Sequence, residues 1–273
     1  MAAFSSKPAN SYTVRSIKNL KNICNLESSS SSSKGETICT GLSGLGEIYR
    51  CTEDLINLPL TQQALEQQED GKWVSGMLDD LISYLDICAT TRDAVLLIKE
   101  SVNELQSALR RSKCGSDSAI ETSISAYISS RKRMKKEASR CLTSLKQRHN
   151  KFGEYPLPNA DHHHHHHLSA LVRVLTEVSL VTIFIFDSLF SFFSVPMALS
   201  LGPVNENMNE LESVDSALNN VSSKDSYPQM SIQIAQKKLE VLDMRIEDFD
   251  MELERLFRDL IHTRVSLLNV LSH

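Results

Sequence analysis

The sequence predicts an all-α protein: an elongated antiparallel helical bundle with long helices and a disordered Ser-rich N-terminus. Three observations carry this. Apolar residues recur at alternating three- and four-residue steps through several long segments, the mark of a helix with one buried side. Pro59, Gly71, Gly115, Gly153 with Pro156 and Pro158, Pro196 with Gly202 and Pro203, and Pro228 fall between those segments as breaks. No stretch shows the two-residue alternation of a strand. Each stripe covers one side of a helix and must be buried against another, so a bundle is the economical solution.

Residues 1–35 end in a serine run, Ser28 to Ser33, and show no periodicity, so they are expected to be a disordered tail. They carry Lys7, Arg15, Lys18 and Lys21 with no acid before Glu27, a composition also found in organelle transit peptides. Residues 36–273 are expected to form a single all-helical domain. A first helix is expected over about 37–58 ("TICTGLSGLGEIYRCTEDLINL"). From Trp73 to about Arg110, Val74, Leu81, Cys88, Val95, Val102 and Leu109 recur every seven residues, which predicts one helix about 57 Å long. From Ile120 to about Leu145 the stripe is Ile120, Ile124, Tyr127, Met134, Ala138, Cys141 and Leu145, with a strongly basic opposite face. A short helix is expected over about 204–222, on Val204, Met208, Leu211, Leu218 and Val221. The last segment is the clearest, running from Ile232 through Leu239, Leu242, Ile246, Phe249, Leu253, Leu256 and Leu260 to Val270 with no Gly or Pro.

The segment "VTIFIFDSLFSFFSV" poses a separate question. Thirteen of the twenty-two residues from Val178 to Leu199 are Leu, Ile, Val or Phe, enough to ask whether it spans a membrane. On insertion scales those residues contribute roughly −4 to −8 kcal/mol, and the central Asp187 takes back about 3, so the balance is marginal. Periodicity favours a core helix over a membrane span or monotopic contact. Leu168, Leu171, Leu175, Val178, Ile185, Leu189 and Phe192 keep the rhythm of the other helices, a register that lipid would not require. A helix apolar nearly all round is the central member of a bundle, with Asp187 at a bundle edge or bonded to a neighbour.

The net charge of −5 hides an asymmetry: residues 110–151 hold twelve Lys and Arg against three acids. The sharpest polar feature is "RKRMKK", in which Arg131, Lys132, Arg133, Lys135 and Lys136 form a candidate basic docking or nuclear-import patch. It suits phosphates or anionic lipid as well, and a solvated helix face is the plainer reading. No aromatic platform or DNA-binding motif accompanies it, so sequence-specific nucleic-acid recognition is not expected. The six cysteines (Cys24, Cys39, Cys51, Cys88, Cys114, Cys141) form no CxxC pair and read as reduced thiols. Six consecutive histidines, His162 to His167, bind transition metals adventitiously and read as a loop expansion, not a built metal site. "DDLIS" lacks the third carboxylate of a diphosphate site, and "GLSGLG" lacks the Lys and Ser or Thr of a phosphate loop. No GxSxG, HExxH or nucleophile with its base is present, so no catalytic residue, cofactor or metal is expected.

Several stretches together resemble one family. They are "SYTVRSI", "LPLTQQAL", "WVSGMLDDLISYLDICATTRDAVLLIKESVNELQSALRR", "YISSRKRMKKEASRCLTSLK", "ALVRVLTEVSLVTIFIFDSLFSFFS" and the C-terminal "LERLFRDLIHTRVSLLNVLSH". In this order they resemble the plant-specific BYPASS-type family, over most of residues 36–273. The resemblance implies an all-helical plant protein linked to root and shoot development, whose relatives restrain a mobile root-derived signal. It names no activity, cofactor or ligand. Two features depart from the family. After Pro196 the chain runs almost directly into "NENMNELESVDSAL", without a Trp-containing, Lys-rich piece, and the histidine run is unusual.

The reading that results is a non-enzymatic helical regulator or scaffold acting through protein contacts. Its partners are expected to be other proteins, a second copy of the chain included, since heptad-like seams pair between chains as readily as within one. The alternative is a membrane-associated factor using the hydrophobic helix 178–199 and the basic helix 131–148. The cytoplasm is the expected compartment, with plastid, nucleus and membrane periphery as alternatives.

Overall fold

Caps and prolines set where the helices begin. Ser33 stands in extended backbone at φ −66° and ψ 154°, and its Oγ accepts from the Glu36 N–H, so the Ser-Lys-Gly-Glu sequence opens a helix at Lys34. Pro59 and Pro228 each occupy the first position of a helix, where the missing N–H costs nothing. Asn209 caps another: its Oδ1 accepts from Glu212 N at 2.8 Å while Glu212 Oε2 accepts from Asn209 N at 2.8 Å, a reciprocal capping box.

The computed structural model describes residues 18, 33–66, 72–111, 118–149, 165–195, 208–222 and 228–272. The described residues form seven helices and no strand: α1 (Lys34–Ile56), α2 (Pro59–Glu66), α3 (Lys72–Arg111), α4 (Ser118–His149), α5 (His165–Phe193), α6 (Glu210–Ser222) and α7 (Pro228–Leu271). The all-helical expectation holds. Apart from Lys18 and residues 33–35, the expected N-terminal tail lies outside the described residues, as does Val204; α1 begins at Lys34.

The 44-residue α7 is the spine, packed against α3, α1 and α6. Its register against α3 is antiparallel, because Cys88 meets the Leu253 carbonyl, Arg92 meets Asp250 and Glu254, and Lys99 meets Glu247. Against α1 it is parallel: Arg245 reaches Ser33, Thr263 donates to the Tyr49 carbonyl, and Ser266 bonds to Glu53. The core seam of α7, from Ile232 to Leu260, is almost fully buried.

The phenylalanine-rich helix α5 lies among α1, α2 and α4. Residues 171–193 are long and apolar enough to cross a membrane, yet most of their apolar side chains are consumed by neighbouring helices. Phe192 and Phe193 meet Phe249 of α7 edge-to-face, with ring centroids 5.3 and 5.6 Å away. Burying one such side chain stabilises by about 1.5–3 kcal/mol, and each edge-to-face pair adds about 1. The buried Tyr49 hydroxyl shares a 2.7 Å hydrogen bond with Thr182 and pins α1 to α5. Asp187 is half-buried at the edge of the helix, and Phe184 is its exposed ring.

"GLSGLG" lies within α1, where its glycines admit neighbours. A Cβ on Gly41 would stand 2.8 Å from Ile185 Cδ1 of α5, and one on Gly46 would stand 2.8 Å from Asp259 Oδ2 of α7. The motif is a place of close helix approach.

Candidate functional site

On α4 the five basic residues of "RKRMKK" part company. At 100° per residue, Lys132, Arg133, Lys135 and Lys136 fall on the outer half of the helix and all four are exposed. Arg131 falls on the inner stripe, four residues after Tyr127 and three before Met134, and its side chain is 2% exposed. The patch that sequence composition assigned to five residues therefore has four on the surface.

Arg131 serves a buried polar knot. Its Nη2 donates to Asp215 Oδ2 of α6 at 3.1 Å and its Nη1 donates to the Phe193 carbonyl of α5 at 3.2 Å. Tyr127 Oη donates to the other oxygen, Asp215 Oδ1, at 3.0 Å. Asn209 Nδ2 donates to the adjacent Phe192 carbonyl at 3.1 Å. Two of the carbonyls left unsatisfied at the C-terminus of α5 thus receive donors, and a guanidinium meets the negative end of that helix dipole. Burial, followed by the negative charge of Asp215, pushes the Tyr127 phenol well above its ordinary value, so it stays a hydrogen-bond donor. The knot fixes the outward orientation of α4: with Arg131 locked inward, the four exposed cations face solvent.

A second knot joins α1, α6 and α7. Ser33 Oγ donates to Glu210 Oε1 at 2.7 Å, and Arg245 donates to Glu210, to Asp248 and to Ser33. The Cys39 thiol lies 3.8 Å from Arg245 Nη1, yet burial outweighs that cation and raises its pKa to about 11. Burial likewise raises Cys88 to about 12 and Cys141 to about 11. Cys39, Cys51, Cys88 and Cys141 are free thiols, the first two half-buried and the last two buried, and burial raises all four above the ordinary thiol value, which suits packing residues rather than nucleophiles.

Among the described residues no group of three or more His, Cys, Asp or Glu is placed to hold a metal. His162–His164 lie outside the described residues, as do Cys24 and Cys114. The arrangement assembled here presents a rigid, cationic helix face.

Sequence reasoning missed Asp215 and misplaced Arg131, although Arg131 left a trace. The α4 stripe skips from Tyr127 to Met134, a gap of seven where a three-four rhythm needs a member, whereas in α6 Val214 completes the rhythm between Leu211 and Leu218 and Asp215 sits beside it on the buried side. Arg131 occupies the α4 gap, and its partner Asp215 carries the opposite charge.

A protein-family model described as Protein BPS1 matches residues 41–270 of the chain. No curated protein and no solved structure matches it.

Proposed function

Because the chain belongs to the BPS1 family, we propose that it is a non-enzymatic helical regulator or scaffold in plant root and shoot development, acting through protein contacts. The observation that carries the reading is the exposed cationic face of α4, Lys132, Arg133, Lys135 and Lys136, held outward by buried Arg131. Four like charges on one side of a rigid helix form a docking surface for an acidic protein segment. Exposed cations contribute little to folding, so this face is free to serve recognition. The cytoplasm is the compartment we propose, in keeping with the free thiols of the described residues.

The membrane alternative has less support, because the apolar face it needs on α5 is occupied by α1, α2, α4 and Phe249. An enzymatic role has none among the described residues.

Proximity labelling in root tissue tests the proposal. The full chain is compared with a variant carrying Lys132→Gln, Arg133→Gln, Lys135→Gln and Lys136→Gln and keeping Arg131. Loss of a defined set of protein neighbours in the variant is expected. An unchanged set would overturn the docking role of α4.

A further inference from the structure

The outer side of α7 carries a second apolar stripe that none of the described helices covers. Met230, Ile234, Val241, Met244 and Met251 are 64, 44, 46, 60 and 45% exposed. Their steps of four, seven, three and seven residues leave two vacancies in a heptad seam, filled by Lys237 and Asp248. The stripe runs between the contacts of α7 with α3, made through Glu247, Asp250 and Glu254, and those with α1, made through Arg245 and Asp259. It therefore points away from the core.

We propose that this stripe is a homodimer seam, in which α7 of a second copy lies antiparallel with the two-fold axis between Leu242 and Asp243. Charge complementarity selects that occupant and that register. In a parallel in-register pair, Lys237 would face its own counterpart and Asp248 its own, two like-charge contacts in the seam. Antiparallel, the register with its axis between Leu242 and Asp243 sets Ile234 against Met251, Val241 against Met244, Lys237 against Asp248 and, at the ends of the seam, Met230 against the exposed Arg255. The two-fold axis repeats each layer. Sliding one heptad one way sets Lys237 against Arg255, and sliding it the other way sets Lys237 against Val241 and Asp248 against Met230. Neither alternative satisfies both charges. Five half-exposed side chains of about 200 Å² bring roughly 1,000 Å² from the two copies together, the lower end of a specific interface. The seam is distinct from the α4 face, and neither proposal depends on the other.

Sedimentation of the full chain tests the seam. The wild type is expected to sediment with twice the mass of the 30.6 kDa chain. Lys237→Asp alone and Asp248→Lys alone are each expected to raise the dimer dissociation constant at least tenfold. An equimolar mixture of the two regains the dimer, since every facing pair is again one Lys and one Asp. Because Asp248 also accepts from Arg245, Met244→Glu serves as a second variant, expected to keep wild-type helical circular dichroism and to sediment as one chain. A monomeric wild type at high micromolar concentration, in which the stripe would be left to a helix of another protein, overturns the proposal. So does a mixture that stays monomeric, or a Met244→Glu variant that still dimerises.

Discussion

Arg131 and Asp215 stand 84 residues apart in sequence and 3.1 Å apart in the fold, with side chains 2% and 1% exposed. Each would be costly to bury alone, and each is paid for by the other together with Tyr127 and the Phe193 carbonyl. This pair locks α4 and α6 to the end of α5, and the outward-facing charges of α4 depend on it.

Breaking the pair from one side is therefore expected to cost far more than a surface change. Arg131→Met or Asp215→Leu alone should lose about 3–5 kcal/mol, because a buried charge is left unmatched. The double variant should recover much of that loss, as two apolar groups need no partner. Urea unfolding followed by circular dichroism gives all three values, and the coupling shows directly in the double-mutant cycle.

Neutralising the four neighbours is expected to do almost nothing to folding. Each of Lys132→Gln, Arg133→Gln, Lys135→Gln and Lys136→Gln should shift stability by no more than about 0.5 kcal/mol. The contrast with Arg131, next in sequence, is the cleanest check that α4 has a buried side and a wet side.

The aromatic cluster gives a second contrast. Phe249→Ala, at a fully buried ring touching Phe192 and Phe193, is expected to cost about 3–5 kcal/mol. Phe184→Ser, on a ring 41% exposed, should stay within about 0.5 kcal/mol and leave the chain at least as soluble. Thermal unfolding of both variants in detergent-free buffer distinguishes them.

Two thiols, half-buried Cys39 and buried Cys88, set an alkaline limit. Folding raises Cys39 from the ordinary 9.0 to about 11 and Cys88 to about 12, so the folded chain holds these protons more tightly than the unfolded one. Their stabilisation is fully present below pH 9 and is lost as pH rises toward 11 and 12. Stability measured against pH should thus fall over that window, and Cys88→Ala should flatten the decline. At pH 8 in native buffer a thiol reagent should label Cys39 and Cys88 slowly, and in denaturant rapidly.

Much of this was legible in the sequence, for a physical reason: long helices repeat their burial pattern every 3.6 residues. The stripes of α3, α4 and α7 therefore placed those helices to within a few residues. The eight residues of α2 escaped, since two turns are too short to display a period, though Pro59 marks their start. The knot escaped because Arg131 breaks the rule that reveals helices: a charge stands where the α4 stripe demands an apolar residue, and only the partner 84 residues away resolves the contradiction. The parallel pairing of α1 with α7 was not legible either. Periodicity says which side of a helix is buried and nothing about which distant helix buries it.

The claim on which the rest depends is that α5 has other helices for its surroundings. Native hydrogen exchange of the full chain, in buffer without detergent or lipid, tests it directly. Residues 171–193 should exchange among the slowest of the molecule, opening only with global unfolding. Fast exchange there in buffer, with protection appearing only when bilayers are added, would contradict the bundle and return the segment to the membrane.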